Sequence, residues 1–189
     1  MSRCFRVGLL VGCVVLANLV ATAQEVVHAL CGTIRSVNAT DKTITISAND
    51  GTPKFFTELT KSNVALDFDK RIRADAIPAD AFTKSGVRVI VYYFGNGNLQ
   101  TAVALQDLGA GPFEESSGTV VKFDRHEHVL ILKNDAEGER SFDLTDKTVA
   151  ETPYGAEEGL ELNAKDGDHL QVTASSVNGK ETALFIRFM

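Results

Sequence analysis

Disulfides are the first thing this 189-residue chain lacks. Of its three cysteines, Cys4 and Cys13 stand in an N-terminal apolar stretch, which leaves Cys31 alone in the remainder. No internal bridge can form there, so stability has to come from burial. Missing too are a phosphate-binding loop, a dinucleotide glycine fingerprint after a strand, and a G-x-S-x-G nucleophile elbow. Positive charge is scarce: 19 Lys and Arg face 25 Asp and Glu, a formal net charge of −6. A long apolar run occurs once, from Val7 to Val20. Nucleotide chemistry and nucleic-acid binding therefore have little support, because an acidic surface repels phosphate backbones.

That single apolar run follows Arg3 and Arg6 and ends in Ala21-Thr22-Ala23. Basic residues, a short apolar region and a small-x-small motif make a secretory signal peptide, residues 1–23, cleaved after Ala23. Leu10-Val11-Gly12-Cys13 has the look of a lipoprotein box, but too few apolar residues precede it and the stretch beyond is more hydrophobic. Cleavage after Ala23 removes two basic residues and no acidic one, so the formal charge falls from −6 to −8. The expected location is the periplasm or the outside of the cell, with no stable membrane insertion of the processed chain.

What is present is a repeat. Gly118-Thr119-Val120 echoes Gly32-Thr33-Ile34, and Val129 to Leu132 echoes Thr43 to Ile46. Phe142-Asp143-Leu144-Thr145 echoes Thr57-Glu58-Leu59-Thr60. Later, Gly86, Val89 and Thr101 match Gly167, Leu170 and Thr182. Internal periodicity fixes architecture before any local signal does. The first copy, residues 24–108, opens with a lead-in to Leu30, followed by strands at Thr33–Val37, Thr43–Ser47 and Lys54–Leu59. A helical turn over Pro78–Lys84 precedes strands at Val87–Phe94 and Thr101–Leu105, the last with Val103 and Leu105 inward. After a polar joint at 109–117, the second copy, residues 118–189, repeats the plan with strands at Thr119–Phe123, Val129–Leu132, Arg140–Leu144, Leu170–Ala174 and Thr182–Phe188. Its helical turn is expected at Leu160–Lys165. The fold class predicted is all-β: two tandem five-stranded, OB-like open barrels, each with one short helix before the fourth strand.

Those residues also carry a family likeness. Gly32-Thr33-Ile34, Ile44-Thr45-Ile46, Lys84, Gly86 and Val89-Ile90-Val91, with Gly118-Thr119-Val120, Lys165, Gly167, Leu170 and Val172, resemble the bacterial secreted family numbered 5666 among the domains of unknown function. The resemblance implies a small OB-like barrel outside the cytoplasm and carries over no catalytic residue. Asp67–Ile77 and Glu151–Gly159 depart from its pattern.

Candidate sites are few. On an extended segment His126 and His128 would face one side, as two metal ligands must, with Asp124 near; yet they fill the turn occupied by Thr40-Asp41-Lys42 in the first copy. Exposed turn residues are the main reading, and a periplasmic metal-binding protein using His126 and His128 is the alternative. Cys31 with His28 invites a thiol–imidazole pair but lacks an orienting group; an inert buried cysteine is preferred. Glu114-Glu115 and Glu157-Glu158 are sequence neighbours whose side chains diverge, as solvated loop carboxylates. Asn38-Ala39-Thr40 matches a glycosylation acceptor by its spacing alone. No cofactor is expected.

The sharpest signal is a difference between the copies. With Val87, Val89, Val91 and Tyr93 facing the first core, Ile90, Tyr92 and Phe94 face out, where the second copy has Gln171, Thr173 and Ser175. A strand apolar on both faces is covered on both. Ile90, Tyr92 and Phe94 are thus a contact surface, against the second barrel or against a partner or apolar ligand, worth about 5 kcal/mol if buried. The function expected is a secreted non-catalytic β-barrel protein, a binding or structural module of the cell envelope whose partner is a protein or small ligand.

Overall fold

The computed structural model describes residues 26–49, 51–57, 75–97, 99–134, 138–177 and 179–189. The signal-peptide reading, the third strand beyond Thr57 and the connection through Asp67 lie outside the described residues. Within them the protein is all-β, with two sheets and two single 3₁₀ turns.

The first sheet holds β1 (His28–Asn38), β2 (Thr43–Ser47), β3 (Lys54–Phe56), β4 (Ile77–Pro78), β5 (Arg88–Phe94) and β6 (Thr101–Asp107). The second holds β7 (Phe113–Asp124), β8 (Val129–Asn134), β9 (Gly138–Asp143), β10 (Val149–Thr152), β11 (Gly155–Glu158), β12 (His169–Val177) and β13 (Lys180–Phe188). In the first, the order β3-β2-β1-β5-β6 closes on itself where Phe56 of β3 meets Thr101 of β6 in parallel. In the second, β9-β8-β7-β12-β13 closes at Asp143 and Thr182 in the same way. Closure removes the open edges that short strands would otherwise expose.

The duplication extends to single hydrogen bonds. The Gly86 amide donates to the Ile34 carbonyl at 2.8 Å and the Ile34 amide to the Val87 carbonyl at 2.9 Å; Gly167, Val120 and Asp168 repeat the pair at 3.0 and 2.8 Å. Each barrel bulges twice in matching places, at Ile34/Ser36 and Val120/Lys122, and at Tyr92/Tyr93 and Thr173/Ala174. The tight first hairpin turns through a left-handed residue in both copies, Lys42 at φ 49° and His128 at φ 55°. A Cβ on Gly32 would lie 2.6 Å from the Ser47 carbonyl oxygen, and one on Gly118 lies 2.6 Å from that of Lys133. The repeated glycine of each copy thus marks a place where neighbouring strands approach too closely for any side chain.

Each barrel has its own core. Ile34, Ile44, Ile46, Phe55, Val89, Val91 and Leu105 fill the first, and Val120, Leu130, Leu132, Phe142, Leu170, Val172 and Ile186 the second. The 3₁₀ turns, Ala79–Ala81 and Gly159–Glu161, are shorter than the segments predicted over Pro78–Lys84 and Leu160–Lys165. Each is followed by one large buried side chain, Phe82 or Leu162, that packs into its own barrel.

Four expectations are corrected. The lead-in is strand: β1 starts at His28, because its first residues pair with Tyr93 and Tyr92. The joint is shorter than 109–117, since Phe113 to Ser117 are laddered against Ser175 to Gln171. The stretch Glu151–Gly159, read as a departure from the repeat's pattern, contributes to a hairpin, β10–β11. Val103 does not face the first core; as the extra residue of the β5–β6 bulge, it turns to the opposite face while Leu105 stays inward.

Candidate functional site

The candidate site is the seam where the two barrels meet. It follows from the composition of β5 beyond Arg88, where Val-Ile-Val-Tyr-Tyr-Phe is apolar on both faces. Pleating sends Val89 and Val91 into the first barrel and Ile90, Tyr92 and Phe94 the other way. Ile90 and Tyr92 are fully buried and Phe94 is half-buried, in a third cluster with Val27, Ala29, Cys31, Val103 and Ala104. The opposing side of that cluster is Val149, Ala156 and Phe185, all from the second barrel and its β10–β11 hairpin. The Tyr92 hydroxyl is satisfied within the layer, donating to Gln106 Oε1 at 3.2 Å.

Polar contacts line the seam. At one end the Glu151 carboxylate accepts from His28 Nδ1 and from the Ala29 amide, both at 2.6 Å. The Ala156 amide donates to the Val27 carbonyl at 2.7 Å, so the start of the described chain is strapped to β11. At the other end Glu115 accepts from Arg88 and from Asn49, while the Arg88 guanidinium lies over the Phe113 ring, 5.9 Å from its centroid. Cys31 sits between these ends, beside Arg88 and Thr173. Burial pushes its thiol above the ordinary range in spite of the neighbouring guanidinium. Arg88 Nε is buried with no hydrogen-bond partner.

Glu151 gives the seam a pH signature. Burial outweighs the donors around it, namely the His28 imidazole and the Ala29 amide, and the charge of Arg187, and holds its carboxyl above the usual range. A carboxyl raised in the folded state contributes its stability when protonated, and that contribution is lost as pH rises through the folded value. The stability of the wild type relative to Glu151→Gln is therefore expected to fall as pH rises above the ordinary carboxyl range near about 4, as read by urea melts at a series of pH values. Glu151→Ala, which leaves the Ala29 amide without an acceptor, is expected to lose about 1–3 kcal/mol at any pH.

The sequence candidates separate into members of the seam and bystanders. His28 and Cys31 do not pair: three residues apart on a strand, they point to opposite faces, His28 to Glu151 and the Tyr93 ring, Cys31 into the apolar layer. Because Cys31 is 8% exposed, pairing with another chain requires the seam to open. Its thiol is expected to react with a neutral alkylating reagent about a hundredfold more slowly in the folded protein than in urea, which a timed labelling assay measures. Glu114 and Glu115 do diverge, Glu114 to Arg140 and Glu115 to Arg88. Both belong to ion pairs, and Glu115 to the seam, so the free loop carboxylates expected of them are corrected. Glu157 and Glu158 lie on β11 beside the exposed Tyr154.

His126 and His128 lie in the β7–β8 turn, both exposed. Asp124 Oδ1 accepts from the amides of His126 and Glu127 at 3.1 Å, and these bonds, that of Glu127 foremost, with Lys122 hold its carboxyl below the ordinary range. Asp124 is thus a turn-forming side chain. With His128 left-handed the segment is not extended, and the same-side geometry two ligands would need is absent. Among the described residues no group of three His, Cys, Asp or Glu side chains is placed to hold a metal ion. Asn38 likewise folds onto its own turn, accepting from the Thr40 and Asp41 amides at 3.0 Å. Sequence reasoning missed Glu151, Arg88 and Arg140. Arg88 could have been noticed as a charge inside the strongest apolar strand; Glu151 had no local signal.

No family model matches this chain, and no curated protein does. Among solved structures, one described as "Structural mimicry for functional antagonism" is similar at 13% identity and a TM-score of 0.24, over 88% of this chain and 93% of that one.

Proposed function

We propose that this is a secreted, non-catalytic tandem-barrel protein, a binding or structural module of the cell envelope. The observation that carries the reading is the use made of the seam. The outward face of β5, rich in large apolar side chains, is covered by the second barrel, and His28 with Glu151 and Arg88 with Glu115 form pairs beside it that join the two halves. Such an arrangement turns two small units, each marginal by itself, into one body. What it presents outward is an acidic surface with barrel ends and hairpins. The resemblance to the secreted family numbered 5666 and the N-terminal basic-apolar-small pattern support the same location. A tagged chain expressed in a bacterium with an outer membrane is expected in the periplasmic or culture fraction, starting at Gln24 by mass spectrometry. An unprocessed cytoplasmic chain would overturn the location. Immobilised protein is expected to retain a protein or small ligand from the envelope fraction, and retention of none would overturn the binding role.

A further inference from the structure

We draw no further inference here: the strongest candidate, the cleft beside the exposed Tyr154 at the tip of the β10–β11 hairpin, is a cluster of the carboxylates Glu157, Glu158 and Glu161, and nothing among the described residues points to what it would bind.

Discussion

Tyr92→Ser is expected to lower the free energy of unfolding by about 4 kcal/mol, the range for removing a buried aromatic side chain. Tyr92 is 0% exposed and is among the largest fully buried side chains described. Its ring fills the layer between barrels, and its hydroxyl occupies Gln106. A serine leaves a cavity facing Val149, Ala156 and Phe185 and cannot reach the amide. Because the layer joins two cores, the loss has a second signature. Urea unfolding of the wild type should be a single transition, and that of Tyr92→Ser should broaden or split as the barrels uncouple. An unchanged midpoint would mean that the layer is not packed as described.

The second large effect is at the paired glycines. Gly118→Ala places a methyl 2.6 Å from the Lys133 carbonyl oxygen and 3.0 Å from its carbon. Backbone atoms in a closed sheet cannot step aside as a flexible side chain would, so the β7–β8 crossing must open. The expected loss is about 3 kcal/mol, toward the upper end for overpacking. Gly32→Ala meets both Ile46 Cγ2 at 2.5 Å and the Ser47 carbonyl oxygen at 2.6 Å, and should cost at least as much. Gly179→Ala, at φ 77° with nothing within 4 Å, is the control: it strains a turn without a clash and should lose only about 1 kcal/mol. Chemical denaturation of the three variants measures the ranking. Equal losses would show that conformational strain, and not the strand crossing, dominates at these positions.

The repeat was readable because each copy must close the same barrel. Gly32 and Gly118 stand at strand crossings, Gly86 and Gly167 at left-handed positions, and the alternating strands of each copy face a core. These constraints are local and recur, so they leave a period. The double-sided character of β5 was readable for the same reason: Ile90, Tyr92 and Phe94 alternate out of phase with Val89 and Val91. Val103 was misjudged because a bulge changes face without changing composition. His28 and Glu151 are 123 residues apart, and nothing in the neighbourhood of either one announces the other.

The amino-acid sequence alone determined that the chain is built from two copies of a small β unit and that one strand of the first copy needs cover on both faces. Side-chain alternation and glycine placement are enforced within a few residues of chain, where steric and solvation demands act directly. Tertiary structure alone decided what supplies the cover and that the β10–β11 hairpin straps the halves together. Those outcomes depend on contacts between segments far apart in the chain, and such contacts write no pattern into either segment by itself.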